Sequence, residues 1–134
     1  MITISTDKSK LQIEVIYPFI TNSYWGKGRT ISQVQTTIDT CLCFGMYINE
    51  QQIGFGRVAT DYTVFAYLMD LFILPKYRGQ GYSKQLMKAI INAEELKTCK
   101  TWMLKTSDAH ELYKKFGFTE LHNPSIVMER LIKS

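Results

Sequence analysis

The sequence predicts one mixed α/β (α+β) domain whose central sheet is mainly antiparallel and flanked by helices. The chain has 134 residues, which is close to the usual size of a single domain. Hydrophobic residues make up 46% and charged residues 21% of the chain, which is typical of globular proteins and argues against disorder. Segments with strand and helix periodicity follow one another through short connections, without repeats or Pro/Gly/Ser-rich linkers. We therefore expect one domain over residues 1–134.

Charge and cysteine content exclude several classes of protein. There are 16 Lys+Arg against 12 Asp+Glu, and the net charge of +4 suits an anionic ligand but is well short of a nucleic-acid-binding tail. The spacing of Cys41, Cys43 and Cys99 matches no zinc signature, so we expect reduced thiols and no metal. The sequence shows neither a signal peptide nor a membrane-spanning run. These features predict a cytoplasmic protein without a nucleic-acid or membrane partner.

The first half of the chain predicts a strand and then a helix. Leu11–Ile16 alternates apolar and polar residues, which is the period of a half-buried strand. Helical spacing follows, with Thr30 or Ser32 available as the N-cap. The apolar positions of this helix are Ile31, Val34, Ile38 and Cys41.

A three-stranded antiparallel meander follows the helix. Cys43–Ile48 and Ile53–Thr60 are rich in strand-forming residues, and the polar segment Asn49–Gln52 between them predicts a hairpin. After a short turn, Val64–Leu74 predicts a third strand, which ends at Pro75.

A glycine-containing turn, Arg78–Gly81, leads from this strand into an amphipathic helix. The short strand Trp102–Leu104 comes next, and a strand, crossover helix and strand form a βαβ unit with local parallel pairing. The apolar face of the crossover helix consists of Leu86, Met87, Ile90, Ile91 and Ala93.

The end of the chain predicts one more helix and one more strand. The helix covers Asp108–Lys115, with Asp108 as its N-cap and Gly117 just beyond its end. Ile126–Met128 then predicts a last strand.

The glycine turn has the features of a phosphate-binding loop. The first amides of a helix have no partner within the helix, and they lie at the positive end of its dipole. Gly79 and Gly81 let the backbone approach a phosphate closely, and Lys76, Arg78 and Lys84 add positive charge. The Walker sequence and the third glycine of the dinucleotide motif are both absent. The alternative is that the glycines only form a tight connection.

Two blocks of this sequence resemble the GNAT family of N-acetyltransferases. The motif Ile73-x-Pro75-x-x-Arg78-Gly79-x-Gly81, followed by a helix, is similar to the family's acetyl-coenzyme A loop, with Ser83 at its last small-residue position. The second block, Ala109–Phe118, resembles the later family motif in which a helix carrying Tyr113 ends at a Gly-Phe pair. Shorter blocks, such as Asn22–Trp25, resemble a subgroup of small bacterial single-domain members.

The resemblance implies a GNAT fold and transfer of an acetyl group from acetyl-coenzyme A to a primary amine of a small molecule, peptide or protein. It implies a coenzyme-binding βαβ unit and no metal. The backbone amide of Phe72 or Ile73 is then expected to donate to the acetyl carbonyl oxygen. The implied coenzyme-binding residues are Phe72, Ile73, Leu74, Arg78, Gly79, Gln80, Gly81, Tyr82, Ser83 and Lys84.

Two residues are candidates for catalysis. Tyr113 matches the position of the tyrosine that protonates the departing thiolate in many family members. Asp70 interrupts an apolar strand and is a candidate base for the amine, although it could instead pair with an arginine or face an open edge. The expected acceptor site contains Tyr24, Trp25, Arg29 and Tyr62.

Two other functions, and the oligomeric state, stay open at this point. A protein that binds acyl-coenzyme A without catalysis would need the same loop. An RNA-binding module is suggested by Ile53–Val58, but Ile53 and Arg57 stand where a basic residue and a stacking aromatic are needed. The sequence is also compatible with a homodimer.

Overall fold

The computed structural model describes residues 1–133, which form five strands and four α-helices. The strands are β1 (Ile2–Ser5), β2 (Leu42–Ile48), β3 (Gln51–Thr60), β4 (Phe65–Ile73) and β5 (Thr101–Met103). The helices are α1 (Ile13–Thr21), α2 (Ile31–Thr40), α3 (Tyr82–Ile91) and α4 (His110–Lys114).

All five strands belong to one sheet in the order β1-β2-β3-β4-β5. The first three pairings are antiparallel, whereas β4 and β5, on either side of α3, are parallel. The mixed, mainly antiparallel sheet and the βαβ unit are therefore confirmed.

Helices cover both faces of the sheet. On one face, α1 and α2 bury Ile16, Ile20, Val34 and Ile38 against Phe55 and Phe72 of the sheet. On the other face, α3 buries its apolar stripe of Leu86, Met87 and Ile90 against β2, β3 and β4. Gly56 lets α3 lie close, because a Cβ atom there would come within 2.9 Å of Leu71 and 3.1 Å of Ile90.

The predicted hairpin is confirmed, and Thr30 is the one of the two predicted N-caps that begins α2. Thr30 is the N-cap of α2, and its side chain and that of Gln33 form a capping box. The hairpin turn is tighter than the predicted four residues. Only Asn49 and Glu50 lie outside the strands, and both have a positive φ, which suits a two-residue hairpin.

Three predictions about local structure are wrong. Leu11–Ile16 is not a strand, because α1 begins at Ile13 and buries Ile16 and Ile20 on one helical face. Ile126–Met128 is not a strand, because it pairs with no strand among residues 1–133 and its first residue ends the 3-10 turn Pro124–Ile126. Asp108 is not a helix cap. The N-cap of α4 is Ala109, whose amide donates to Oγ1 of Thr106.

The three cysteines are free and buried. Burial raises the pKa of Cys43 to about 12. Within residues 1–133, no helix is both long and apolar enough to cross a bilayer.

Candidate functional site

The strands β4 and β5 diverge, and a cavity of about 860 Å³ lies where they separate. Their pairing is limited to the start of β4, from Phe65 to Tyr67, because β5 has only three residues. The rest of β4 forms one wall of the cavity, and the segment from Leu104 to Tyr113 lines the opposite side. The loop after α1 and the glycine turn before α3 complete the lining.

The glycine turn presents free backbone donors to this cavity. Gly79 and Gly81 both have φ of +80°, a left-handed conformation that favours glycine. None of the amides from Gly79 to Lys84 donates a hydrogen bond to an acceptor within residues 1–133. These amides surround the N-terminus of α3, so they can bind an anion such as a phosphate.

Arg78 is fixed at the base of the turn. Its Nε donates to the carbonyl oxygen of Ile73 at 2.9 Å, and its guanidinium lies 5.9 Å from the ring centre of Phe19. The guanidinium therefore adds a positive charge beside the free amides of the glycine turn.

The exposed edge of β4 supplies a further donor. The amide of Leu74 points toward β3, because it donates to the carbonyl of Ile53 at 2.8 Å. Hydrogen-bonding groups alternate along an antiparallel strand, so the amide of Ile73 points away from β3 and toward the cavity. Of the two predicted donors, Phe72 and Ile73, the geometry therefore selects Ile73.

Tyr113 lines the cavity from α4, opposite β4. Its ring packs edge-on against Phe118, with ring centres 6.1 Å apart. Burial, with a smaller contribution from Tyr24 and Asp108, raises the pKa of Tyr113 to about 12. The hydroxyl is therefore protonated near neutral pH and can donate a proton or a hydrogen bond.

Asp70 lies at a bulge in β4. Asp70 and Leu71 together oppose the single residue Gly56 of β3, and Asp70 has a φ of +55°. This conformation, which asparagine and aspartate tolerate better than most residues, directs its carboxylate to the face covered by α1 and α2.

The Asp70 carboxylate is fully buried, with a side-chain exposure of 0%. One oxygen accepts hydrogen bonds from Nε1 of Trp25 at 2.8 Å and Nη1 of Arg29 at 3.1 Å. The other accepts from Nη1 of Arg29 at 2.9 Å and from Nε of Arg57 at 2.6 Å. Each oxygen thus accepts two hydrogen bonds. Of the arrangements considered for Asp70, the structure shows the pairing with arginine.

The loop after α1 forms the outer wall of the cavity. Trp25 and Arg29 are fixed by Asp70, and the Tyr24 hydroxyl accepts a 2.7 Å hydrogen bond from Oγ of Ser107 across the cavity. The Phe19 ring stacks on Phe72 of β4, with ring centres 4.0 Å apart. The loop is therefore attached to both sides of the cavity.

Most of the predicted site residues come together in this cavity. They are Tyr24, Trp25, Arg29, Asp70, Phe72, Ile73, Arg78, Gly79, Gly81, Tyr82, Ser83 and Tyr113. The side chains of Leu74, Gln80 and Lys84 do not line it, although the amide of Gln80 belongs to the glycine turn and that of Lys84 to the first turn of α3. Tyr62 does not line it either, since it lies in the β3–β4 turn at the opposite end of β4.

The sequence analysis missed two residues of this region. Arg57 completes the Asp70 cluster, and the only sequence signal for it is a charged residue within an apolar strand. Phe19 supports both Arg78 and Phe72, but the segment before it was predicted as a strand and gave no reason to place it here. Among residues 1–133, no group of three or more His, Cys, Asp or Glu side chains could hold a metal ion.

Comparisons with known proteins identify the class to which this fold and cavity belong. The sequence model of the acetyltransferase (GNAT) domain family matches residues 39–120. One similar protein of known structure, from Xanthomonas campestris pv. campestris, has been assigned to the GNAT family of acetyltransferases by inference. It is 42% identical to this chain and superposes with a TM-score of 0.95, and the match covers 98% of this chain and 94% of the Xanthomonas protein. The chain therefore belongs to the GNAT family of acetyltransferases.

Two curated relatives are more distant. An inferred acetyltransferase of Gibberella zeae is 26% identical over 133 residues, which cover 84% of this chain and 75% of the relative. The thialysine N-epsilon-acetyltransferase of Mus musculus is 30% identical over 77 residues, and the match covers 52% of this chain and 45% of the mouse protein.

Proposed function

We propose that this protein transfers the acetyl group of acetyl-coenzyme A to a primary amine of a small molecule, a peptide or a protein. One observation carries the proposal: three groups line the same cavity. They are the amides of the glycine turn, the amide of Ile73 that points away from β3, and the hydroxyl of Tyr113. The first group suits a pyrophosphate, and the other two suit the acetyl carbonyl and the sulfur of a thioester.

The residues of the βαβ unit fit the coenzyme. The amides from Gly79 to Lys84 have no protein acceptor within residues 1–133, and Arg78 lies beside them. A pyrophosphate would receive hydrogen bonds from these donors at the positive end of α3. The exposed edge of β4 can then hold the rest of the coenzyme as it extends toward Tyr113.

The acetyl transfer needs a donor for the carbonyl oxygen and a proton for the sulfur. As the neutral amine attacks the carbonyl carbon, negative charge develops on the oxygen, where the Ile73 amide can donate a hydrogen bond. The carbon–sulfur bond breaks, and Tyr113 gives its proton to the departing thiolate. The nitrogen loses its extra proton to solvent, and Tyr113 is reprotonated from solvent.

Asp70 is better suited to positioning than to accepting the amine proton. Its carboxylate has no exposed surface, and four hydrogen bonds from Trp25, Arg29 and Arg57 occupy its oxygens. We propose that it holds the loop after α1 against β4. In that case the amine reaches the thioester as its free base.

Turnover distinguishes this function from acyl-coenzyme A binding without catalysis. The test combines calorimetric titration with acetyl-coenzyme A and a thiol-release assay over a panel of amines. Binding with amine-dependent thiol release supports the proposal, whereas tight binding without release for any amine supports a sensor. An RNA-binding role has no support, because Phe55 is fully buried in the strand that resembled an RNA-binding segment.

We also propose a homodimer formed through the C-terminal segment. The sheet ends at β5, whose outer edge has no partner strand within residues 1–133. Four apolar residues near the C-terminus are strongly exposed: Ile126 (75%), Met128 (94%), Leu131 (76%) and Ile132 (70%). A second copy that exchanges this segment would cover both the open edge of β5 and the exposed apolar side chains by two-fold symmetry.

We also propose a cytoplasmic location, because the three cysteines are free and buried, and unpaired thiols are typical of proteins in a reducing compartment.

A further inference from the structure

We infer that the acceptor amine carries a carboxylate, which Arg29 binds in the cavity. This inference rests on the proposed acetyl transfer and specifies the substrate class. It is based on the charge of the Asp70 cluster, the free donors of Arg29 and the aromatic wall beside them.

The Asp70 cluster contains more positive than negative charge. The single carboxylate of Asp70 contacts two guanidinium groups, those of Arg29 and Arg57. The side chains of Asp70 and Arg57 are 0% and 7% exposed, so water reaches neither of them freely. The three groups together carry one net positive charge beside the cavity. The buried pair of Asp70 and Arg57 is neutral, so the excess charge lies on the partly exposed Arg29, where an anionic ligand would neutralise it.

Arg29 is the member of the cluster that can reach such a ligand. Its side chain is 27% exposed and lines the cavity, whereas Arg57 does not line it. Only Nη1 of Arg29 contacts Asp70, and Nε and Nη2 have no acceptor within residues 1–133. A guanidinium with free nitrogens binds a carboxylate through paired hydrogen bonds, and its position is already fixed by Asp70.

The surroundings of Arg29 favour an amine with an apolar or aromatic body. The Trp25 ring next to it is held by its hydrogen bond to Asp70, and the Tyr24 ring packs edge-on against Trp25 at 5.2 Å. On the other side of the cavity, Asp108 and Lys105 also line the wall. Lys105 is paired with Glu129, so Asp108 is the charged group there that can accept a hydrogen bond from the N–H of an incoming amine. The carboxylate end would then face Arg29 and the amine end Tyr113.

In this arrangement Asp70 is a positioning residue. It aligns Arg29 and Trp25 and does not touch the reacting atoms. Its replacement should therefore raise KM for a carboxylate-bearing acceptor more than it lowers kcat.

The experiment compares matched amines that differ only in the carboxylate. The probes are L-phenylalanine, L-lysine and 4-aminobutyrate, each beside its carboxamide, with O-phosphoethanolamine as a phosphate-bearing amine. Thiol release gives kcat and KM for the wild type and for Arg29→Gln, Arg29→Lys and Lys27→Gln. Lys27 is an exposed residue of the same loop that does not line the cavity, so its variant controls for a general loss of positive charge.

We expect at least one carboxylate probe to exceed its carboxamide tenfold or more in kcat/KM. Arg29→Gln should remove this preference through a higher KM, Arg29→Lys should restore part of it, and Lys27→Gln should retain it. If the carboxamides are acetylated and no carboxylate probe is preferred over its carboxamide, the inference is wrong, whereas the proposed acetyl transfer is supported. A stronger preference for O-phosphoethanolamine also overturns it.

A calorimetric measurement covers the case in which no amine is acetylated, which would contradict the proposed function itself. The same carboxylate probes are then titrated into the protein saturated with coenzyme A. Binding that Arg29→Gln abolishes supports the carboxylate site, and the absence of binding overturns it.

Discussion

Replacing Asp70 with asparagine tests whether the buried ion-pair cluster stabilises the fold. The substitution removes the only negative charge of the cluster and keeps nearly the same side-chain size. Arg57, with a side-chain exposure of 7%, is then a buried cation without a counter-charge, while Arg29, at 27%, can turn toward water. The main loss of stability should therefore come from Arg57.

The expected destabilisation follows from this burial. Breaking a buried ion pair by removing one partner costs about 3–5 kcal/mol. The asparagine oxygen can still accept some of the hydrogen bonds, so we expect a value of about 3 kcal/mol. With an unfolding entropy of roughly 2.1 cal/mol/K per residue, this loss would lower Tm by about 10 °C for a domain of this length.

Urea unfolding followed by circular dichroism measures this change in the free energy of unfolding. Glu94→Gln is the control, because Glu94 and Lys97 form an exposed pair whose loss should leave the midpoint unchanged. Adding Arg57→Met to Asp70→Asn should recover part of the stability, since the double variant buries no unpaired cation. A loss below about 1 kcal/mol in Asp70→Asn would show that the cluster is not a significant source of stability.

Four further predictions concern the coenzyme, the acid, a thiol and the C-terminal segment. Gly81→Val should weaken acetyl-coenzyme A binding at least tenfold in calorimetry, because φ at Gly81 is +80°, and unchanged affinity in a folded variant would contradict the phosphate site. Tyr113→Phe should lower kcat by about 10²–10⁴-fold with little change in KM, and more than about half of the wild-type kcat would exclude its role as the acid. Because the pKa of Tyr113 is raised to about 12, its acid form persists as pH rises, so the wild type should show no loss of kcat from this group until the pH approaches that value. Cys43, with a pKa of about 12, should resist alkylation in the native protein at neutral pH, as measured by mass spectrometry, and rapid labelling would contradict its burial. Met128→Lys should convert a dimer to a monomer in light scattering, and a wild type that is already monomeric would refute the exchange of C-terminal segments.

The segments that were predicted correctly carry their structural signal within a few neighbouring residues. The capping residue Thr30, the hairpin turn around Asn49 and the glycine turn before α3 all have local side-chain or backbone requirements. The segment Leu11–Ile16 was assigned wrongly because six residues of alternating polarity fit a strand as well as a helix. The buried face of α1 becomes visible only when Ile16 and Ile20 are taken together.

The predicted strand Ile126–Met128 failed for a different reason. Its β-branched and apolar residues favour an extended backbone, but a strand also needs hydrogen bonds from a neighbour. No strand within residues 1–133 pairs with it. Strand propensity is a local property of the sequence, whereas pairing depends on which edges the folded chain leaves open.

The sequence by itself determined the mixed fold, the glycine turn and the family resemblance, because these depend on local periodicity and on motifs of fixed spacing. Only the tertiary structure decided what surrounds Asp70. Its partners Trp25, Arg29 and Arg57 are 45, 41 and 13 residues away in sequence, and a bulge with a positive φ directs its carboxylate toward them. The energy of a buried charge depends on the groups that reach it in space, so the choice between a base and an ion-pair partner required the folded chain.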